Sequence, residues 1–540
     1  MSVSRRAFLK SAGMTALAAM AGPTTLGQGL AGQVAVQPRK TTASSRGKPN
    51  FLFIMTDQQT LRSLSCYKGT ASRTPTIDRM ASEGVRFETA YCAYPACMPS
   101  RAAFMTGRWP HVNGVRYNGT RLPRDEISMP KLFKEAGYRT ALCGKDHCFG
   151  WKDVLAELFD HNLDAMHFGI RDPIPDDFPA GAKEANAYYR EVLRPRVSNT
   201  LGYGVLPFAP ELCDAGLITE SCTRFIRKCH ADNKPFFTWL SYPGPHWPFA
   251  CPESYVDTVP PDKVDMPPHD DLSDNPENVQ AVHRLLGMDM VTEADIRKVT
   301  SIYYGSVRYL DDQIQRVFQL LRELGIEEDT VVVFTSDHGE YMGEHGLLHK
   351  SNAAYDCLTR VPSVWWWPGH IQAGTTCNEF IEGIDLVPTV LDLCGLGIPF
   401  GVQGISHADG LLGKDAFTAR EACFCESGCE GMPYVIDEGF VPAKNLSEAW
   451  KQVGSLRMDY WANRMKMVRT RRWKLAYYAN GEGELYDMKN DPWELTNLYH
   501  SPDHREVVEE HKHRLLNWTI ETEDTLPVLP NDRGKQFKNS

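Results

Sequence analysis

The chain has 540 residues, of which 42% are hydrophobic and 23% charged, and its formal net charge is −10 at pH 7. This composition is typical of a globular protein and excludes disordered, collagen-like and small disulfide-scaffold chains. The acidic balance argues against nucleic-acid binding, which requires a cationic surface. No apolar run reaches the length of a membrane-spanning helix.

The N-terminus has the pattern of an export signal. Ser4-Arg5-Arg6-Ala7-Phe8-Leu9-Lys10 precedes a short, weakly apolar stretch that contains no acidic residue. This is similar to a twin-arginine signal peptide, which we assign to residues 1–31, with a linker over 32–48. We therefore expect a periplasmic or extracellular protein that uses the twin-arginine translocase. The alternative is a cytoplasmic protein with a chance pair of arginines.

Four apolar segments that read as buried strands are each followed by polar residues. They cover residues 50–55, 139–143, 236–241 and 330–335. Continuous apolar runs of this length are typical of parallel strands buried on both faces. Ligands bind at the carboxyl ends of such strands in open α/β sheets, so we expect a site there.

Helical patterns lie between these segments. One keeps an apolar face over 302–324 and stops at Gly325, and another opens at Thr74 with a proline near its first position. The alternation predicts an α/β fold: a large, mostly parallel sheet sandwiched by helices, over residues 49–410. Shorter β-like pieces and a last helix, from 502 to about 519, predict a smaller α+β subdomain over 411–540.

Cys97 opens a predicted helix, because Pro99 suits a first turn and Gly107 suits a stop. A helix N-terminus favours an anion, since its backbone N–H groups are unpaired. Arg101, one turn further on, is a candidate guanidinium clamp for that anion. The alternative for a cysteine considered alone is a buried, inert thiol.

Two pairs of candidate metal ligands follow two of the buried strands. Asp57 with Gln58, and Asp337 with His338, form an oxygen-rich set that suits a hard divalent cation. Further loops supply cations and proton donors, namely Lys145, His147, His246 and Lys350.

Together these motifs resemble the type I, formylglycine-dependent sulfatases of the alkaline phosphatase superfamily. The resemblance spans roughly residues 50 to 498 and keeps the family's order. Its pieces are residues 53–58, Cys97-Met98-Pro99-Ser100-Arg101 with 106–108, Gly144-Lys145-Asp146-His147, 245–248, 335–340 through 343–346 to Lys350, and 485–487 with 490–492.

The resemblance implies a mechanism with named roles. Cys97 would be oxidised to formylglycine by a formylglycine-generating or sulfatase-maturating enzyme, and its hydrated diol would attack sulfur. Arg101 and Lys145 would hold the attacking oxygen, and His147 would be the base that releases sulfate. His246 and Lys350 would contact the sulfate and protonate the leaving alcohol.

The resemblance also implies a cation held by Asp57, Gln58, Cys97, Asp337 and His338. Many relatives carry Asp where this chain has Gln58, and Asn where it has His338. Ca²⁺ is the expected ion, with Mg²⁺ or Mn²⁺ possible.

The predicted function is an exported sulfatase acting on sulfated carbohydrate. The alternative is a phosphonate monoester or phosphodiester hydrolase, because the Asp-Gln with Asp-His variant also occurs in those relatives. A third possibility is a non-catalytic binder of sulfated glycans that kept the fold.

The remaining conspicuous residues favour supporting roles. We expect structural support from His111 and His345 and core packing from Trp365-Trp366-Trp367. The basic run 469–474 is more typical of a solvated strand or turn than of a polyanion subsite. Cys423, Cys425 and Cys429 suggest a structural cluster or one local disulfide more than half of a metal knuckle.

Overall fold

The structure is a computed structural model that describes residues 47–69, 72–150, 152–428, 442–456 and 464–525. The predicted signal peptide and Cys429 lie outside these ranges. Residues 43–540 form one compact unit. None of the described helices is long and apolar enough to cross a membrane.

The described strands are listed here in chain order. They are β1 (Asn50–Thr56), β2 (Val85–Tyr91), β3 (Arg139–Gly144), β4 (His161–Met166), β5 (Gly169–Ile170), β6 (Tyr203–Leu206), β7 (Phe236–Ser241), β8 (Phe249–Pro252), β9 (Thr330–Ser336), β10 (Ser363–Trp366), β11 (Thr375–Glu382), β12 (Ala422–Ser427), β13 (Met465–Thr470), β14 (Trp473–Tyr478) and β15 (Gly483–Asp487).

The described α-helices follow the same order. They are α1 (Pro75–Glu83), α2 (Cys97–Thr106), α3 (Pro110–Asn113), α4 (Met129–Glu135), α5 (Lys152–Leu158), α6 (Ala182–Tyr188), α7 (Arg194–Arg196), α8 (Asp214–Ala231), α9 (Glu277–Leu286), α10 (Glu293–Glu323), α11 (Asp356–Thr359), α12 (Leu386–Leu393), α13 (Ala408–Leu411), α14 (Leu446–Leu456) and α15 (Arg505–Thr522).

A nine-stranded, mostly parallel sheet organises the fold, with the strand order β11-β2-β10-β9-β1-β7-β3-β4-β5. Strands β9, β1, β7, β3 and β4 run parallel to one another. Strand β10 is antiparallel to both of its neighbours, and β5 is antiparallel to β4. The predicted large, mostly parallel α/β sheet is confirmed.

Strand β1 is buried on both faces because its side chains alternate between two hydrophobic cores. Leu52 and Ile54 belong to the core that includes Leu310 of α10. Phe53 belongs to the other core, where its ring centroid lies 6.2 Å from that of Phe104 in α2. Both faces of the sheet are therefore covered by helices, as the continuous apolar runs predict.

The C-terminal segment forms a four-stranded antiparallel sheet, β12-β13-β14-β15, that packs against α15. The solvated strand or turn expected for the basic run is wrong for Lys474, which is buried and donates to Asp356 over 2.8 Å. Cys423 and Cys425 are buried free thiols of β12, so the two do not form a disulfide with each other. All three tryptophans at 365–367 are buried, as expected for core packing.

Gly144 ends β3 in a conformation that suits only glycine. Its φ is +112°, and a Cβ atom at this position would lie 1.8 Å from the carbonyl oxygen of Ser241 in the neighbouring strand β7. This close approach lets β3 turn directly into the Lys145 loop.

We therefore expect Gly144→Ala to lower the free energy of unfolding by about 2–4 kcal/mol, since the new methyl group must displace backbone atoms of β7. The matched control is Gly114→Ala, where φ is +83° and no atom lies within 4 Å of the added Cβ. That control should cost only about 1 kcal/mol, the strain of the left-handed conformation. Thermal melting of the two variants checks this, and equal losses would contradict the proposed clash.

Candidate active site

The ends of the parallel strands bring the predicted site residues to one edge of the sheet. Thr56 is in register with Ser336, so the segments after β1 and β9 leave the sheet side by side. The backbone N–H of Asp337 donates to the carbonyl of Thr56 over 3.2 Å, and that of Asp57 donates to the carbonyl of Gly244 over 3.0 Å. Loops that are far apart in the chain therefore share one pocket.

A buried group at this edge has the donor set of a cation site. The ligand atoms of Asp57, Cys97, Asp337 and His338 all lie within 4.8 Å of one another. His338 donates through Nδ1 to the carbonyl of Gly339 over 2.9 Å, which leaves its Nε2 lone pair free to act as a ligand. Burial lowers the pKa of His338 to about 4, so the ring is neutral near pH 7, as ligation requires. Two carboxylates and one imidazole fit a divalent cation.

Gln58 joins this group in a strained backbone conformation, with φ at 60°. Its backbone N–H donates to Asp337 Oδ1 over 3.0 Å. Its side-chain Oε1 accepts from Lys350 Nζ over 2.6 Å, and its Nε2 donates to Glu340. The side-chain amide of Gln58 is therefore held between Lys350 and Glu340.

Arg101 is fully buried beneath the cluster. It donates to Asp337 Oδ2 over 2.7 Å and to Asp57 Oδ2 over 2.9 Å. Further hydrogen bonds reach the Lys145 carbonyl over 2.9 Å and Ser241 Oγ over 2.8 Å. Because these bonds occupy most of the guanidinium, Arg101 orients the two carboxylates.

The electrostatics of the pocket follow from burial and from these charges. Burial opposes ionisation of Asp57, but Lys145, His246 and Arg101 outweigh it and hold the pKa of Asp57 well below its ordinary value. Burial and the charge of Asp57 raise the pKa of the Cys97 thiol to about 11. The unmodified thiol is therefore protonated near neutral pH.

Cys97 is the first residue of α2, as predicted, and it sits at the centre of the pocket. Its sulfur lies 3.3 Å from His338 Nε2 and 3.5 Å from both Asp57 Oδ1 and Lys350 Nζ. Arg101, one helical turn later, is held under the same carboxylates. The helix therefore delivers the nucleophile candidate and the carboxylate-orienting group together.

Lys350 and His246 form a hydrogen-bonded pair next to Cys97. Lys350 Nζ donates to His246 Nε2 over 2.9 Å, while His246 Nδ1 is hydrogen bonded to the carbonyl of Trp247. His147 has φ at 58°, and its buried Nδ1 has no hydrogen-bond partner among the described residues. Burial, followed by the charge of Lys145, lowers the pKa of His147 well below its ordinary value. Among the residues that the structure describes, no hydrogen bond joins His147 to Cys97.

The structure adds two residues to the site that the sequence does not single out. His167 Nε2 lies 3.1 Å from Lys145 Nζ, and its ring stacks on His246 with centroids 3.7 Å apart. Glu340 accepts the side-chain hydrogen bond of Gln58, and burial raises its pKa to about 8. Glu340 lies inside a matched motif, whereas His167 follows a strand that is not a continuous apolar run.

His111 and His345 have the contacts of supporting residues. His111 Nδ1 lies 2.8 Å from Glu426 Oε1, and its ring meets Trp518 edge to face. His345 Nδ1 lies 3.1 Å from Asp270 Oδ1, and its ring stacks on Tyr355 at 3.9 Å. Each of the two histidines contacts a carboxylate and an aromatic ring, which agrees with the expected structural role.

Fold and site together define an enzyme of the alkaline phosphatase-like class, with a carboxylate, imidazole and cysteine cluster at the carboxyl edge of its sheet. The sequence model described as "Sulfatase" matches residues 49–396. A second, described as "N-sulphoglucosamine sulphohydrolase, C-terminal", matches residues 457–521. The chain therefore belongs to the sulfatase family.

Individual relatives cover most of the chain. A delta 4,5-hexuronate-2-O-sulfatase of Bacteroides thetaiotaomicron is 29% identical over 519 residues, which is 92% of this chain and 94% of the relative. A structure in complex with its substrate D-glucosamine-2-N,6-O-disulfate superposes with a TM-score of 0.68 at 22% identity, covering 89% of this chain and 99% of its own. The phosphonate monoester hydrolase of Agrobacterium radiobacter superposes with a TM-score of 0.69 at 24% identity, covering 88% and 96%. These two structures establish the shared fold.

Cation binding should stabilise the protein through the carboxylate cluster. A ligand present at about 100 times its Kd stabilises the folded state by about 2.7 kcal/mol, so CaCl₂ should raise the melting midpoint of chelator-treated protein. Asp337→Asn should lose most of this shift, because it removes one of the clustered carboxylates. The control is Asp176→Asn at an exposed side chain, which should keep the full shift. An Asp337→Asn variant that keeps the wild-type shift would contradict the site.

Proposed function

We propose that this protein is an exported sulfatase that hydrolyses sulfate esters of carbohydrates. Cys97 would be converted to formylglycine by a formylglycine-generating or sulfatase-maturating enzyme. Asp57, Gln58, Asp337 and His338 would hold the cation, for which we favour Ca²⁺ over Mg²⁺ or Mn²⁺. The observation that carries the proposal is the sulfur of Cys97, which lies within 3.5 Å of both Asp57 and Lys350.

The cation, when bound, supplies Lewis-acid stabilisation of the negative charge that gathers around the transferring group. The hydrated formylglycine at position 97 offers two hydroxyl groups, and one of them releases its proton to solvent as its oxygen attacks the sulfur atom of the ester. Lys145 and Lys350 place positive charge near Cys97, where the sulfate oxygens would gain charge in the transition state. Arg101 keeps the two carboxylates oriented throughout.

Proton transfers complete the cycle. The bond between sulfur and the ester oxygen breaks as the leaving alcohol takes a proton from the Lys350 and His246 pair, because an alkoxide is a poor leaving group near neutral pH. His147 then takes the proton of the second hydroxyl group, the aldehyde reforms, and sulfate leaves. The low pKa of His147, set by burial and by Lys145, keeps its ring neutral and able to accept that proton.

Sulfated carbohydrate is the favoured substrate class because the relative that matches 92% of the chain is named for a sulfated hexuronate. The second candidate is a phosphonate monoester. It is favoured by Gln58, which removes one negative charge where many sulfatases carry Asp, and by His338, which adds a nitrogen ligand where they carry Asn. Both reactions need the same nucleophile and the same positive groups, so only the preferred substrate distinguishes them.

The deciding experiment measures sulfate release from sulfated mono- and oligosaccharides by purified, modified protein. Phosphonate monoesters are assayed in parallel. We expect a kcat/KM for at least one sulfated saccharide that exceeds the value for any phosphonate monoester. Cys97→Ala should reduce turnover by about 10⁴-fold or more, because it removes the nucleophile and leaves the surrounding core intact.

Intact-mass analysis provides the control for this assay. Modified protein should have exchanged one sulfur and two hydrogens for one oxygen at position 97. A protein that is fully modified and prefers the phosphonate would move the assignment to the second candidate. Native material that carries only the Cys97 thiol and releases no sulfate would favour the non-catalytic glycan binder.

Export is the part of the proposal that rests on the N-terminal sequence alone. Replacement of both Arg5 and Arg6 by lysine should retain the protein in the cytoplasm of a bacterial host that has the twin-arginine pathway. Cell fractionation and immunoblotting measure the distribution, and the matched control replaces Arg471 and Arg472 by lysine. A doubly substituted leader that still directs export would refute the twin-arginine route.

A further inference from the structure

The pocket contains a fourth imidazole, His167, beyond those of His147, His246 and His338 that the proposed function uses. We propose that His167 is a positioning residue of this active site, which holds the ammonium group of Lys145 and supports the ring of His246. The inference rests on the proposed function, because Lys145 and His246 take their roles from it.

The hydrogen bonds around His167 determine its tautomer. An ammonium group can only donate, so the contact of 3.1 Å makes Nε2 of His167 the acceptor for Lys145 Nζ. The remaining proton of the neutral ring is then on Nδ1, which is buried and has no partner among the described residues. A neutral ring is also what burial and the nearby lysines favour, because they lower the pKa of His167.

His246 is arranged in the same way with respect to the second lysine. Its Nδ1 faces the carbonyl of Trp247, so Nδ1 carries the proton and Nε2 accepts from Lys350 Nζ over 2.9 Å. The two rings stack with centroids 3.7 Å apart and an interplanar angle of 17°. Each imidazole of the stack therefore accepts one hydrogen bond from one of the two site lysines.

The stacked rings of His167 and His246 connect Lys145 with Lys350. Lys145 also donates to Asp57, so its ammonium group is held between a carboxylate and the ring of His167. Without an acceptor at the position of Nε2, the long lysine side chain would lose one of the two contacts that orient it. Without a ring stacked on it, His246, which helps to protonate the leaving alcohol, would lose a packing surface. The two contributions can be separated by mutation.

The test uses three substitutions of His167 that divide these contributions. His167→Phe keeps a ring against His246 and removes the acceptor. His167→Gln places an amide oxygen near the position of Nε2 and removes the ring. His167→Asn is the matched shorter amide, whose oxygen does not reach Lys145.

We expect kcat/KM for a sulfated saccharide to fall about 10- to 100-fold in His167→Phe and His167→Asn, the loss of one hydrogen bond to a charged group. The kcat/KM of His167→Gln should be close to the wild-type value, because the amide oxygen replaces the lost acceptor. Because Lys145 faces the sulfate, the inhibition constant of inorganic sulfate should rise in the Phe and Asn variants and return toward wild type in the Gln variant. Melting midpoints and the modified fraction of Cys97 should stay unchanged. If His167 were merely structural, the substitutions would lower the melting midpoint.

The control is His513→Phe at an exposed position of α15, which should leave activity and sulfate inhibition unchanged. Wild-type kinetics in His167→Phe, or equal losses in the Phe and Gln variants, would overturn the inference. Failure of the proposed function has a different signature, namely wild-type protein that releases no sulfate from any ester. In that case calorimetric titration of wild type and variants with inorganic sulfate still decides whether His167 holds Lys145, because the same rank order is required.

Discussion

The site depends on one buried ionic interaction, in which Arg101 bridges Asp57 and Asp337. Two carboxylates buried within one pocket repel each other and have lost their hydration, so neither can stay ionised without a compensating cation. The planar guanidinium satisfies both at once, at 2.9 Å and 2.7 Å. Arg101 lies on the same helix as Cys97, one turn away. Packing of α2 against the sheet edge therefore positions both the guanidinium that bridges the carboxylates and the cysteine.

The side chain at position 58, where the chain departs from the pattern of many sulfatases, has a buried partner of its own. The side-chain amide of Gln58 donates to Glu340, a buried carboxyl group whose pKa is raised to about 8. An aspartate at position 58 has no N–H group and could not donate this bond. Gln58 and Glu340 therefore form a matched pair in which the amide serves the cluster with its oxygen and the carboxyl group with its nitrogen.

Sequence reasoning locates most of this pocket because its residues follow buried parallel strands. Such strands are continuous apolar runs, and their carboxyl ends meet at one edge, so Asp57, Lys145, His246 and Asp337 can be placed together without coordinates. The family motifs add Cys97 and Lys350, which local pattern alone leaves ambiguous. The bonds from Arg101 to Asp57 and Asp337 could not be predicted, because helical spacing shows the neighbours of Arg101 along α2 but not its partners across the sheet.

Two further features were beyond the reach of the sequence for physical reasons. His167 follows β4, a strand near one end of the sheet whose residues 161–166 mix polar and apolar types, and such a segment has no clear strand signal. Lys474 lies in a dense basic run, and such runs are typically solvated. Its burial depends on how the C-terminal sheet docks onto α11, a long-range contact that no local pattern encodes.

That docking makes the C-terminal sheet part of the active site's support. Glu484 in β15 is buried and accepts hydrogen bonds from three tyrosines, at 2.7, 3.0 and 2.7 Å; they are Tyr355, Tyr486 and Tyr478. Tyr355 immediately precedes α11, whose first residue, Asp356, is paired with Lys474. The segment between Lys350 and α11 is therefore anchored to the C-terminal sheet at its far end. Since Lys350 contacts both Cys97 and His246, the geometry of the pocket depends on residues well beyond position 396, where the match to the "Sulfatase" model ends.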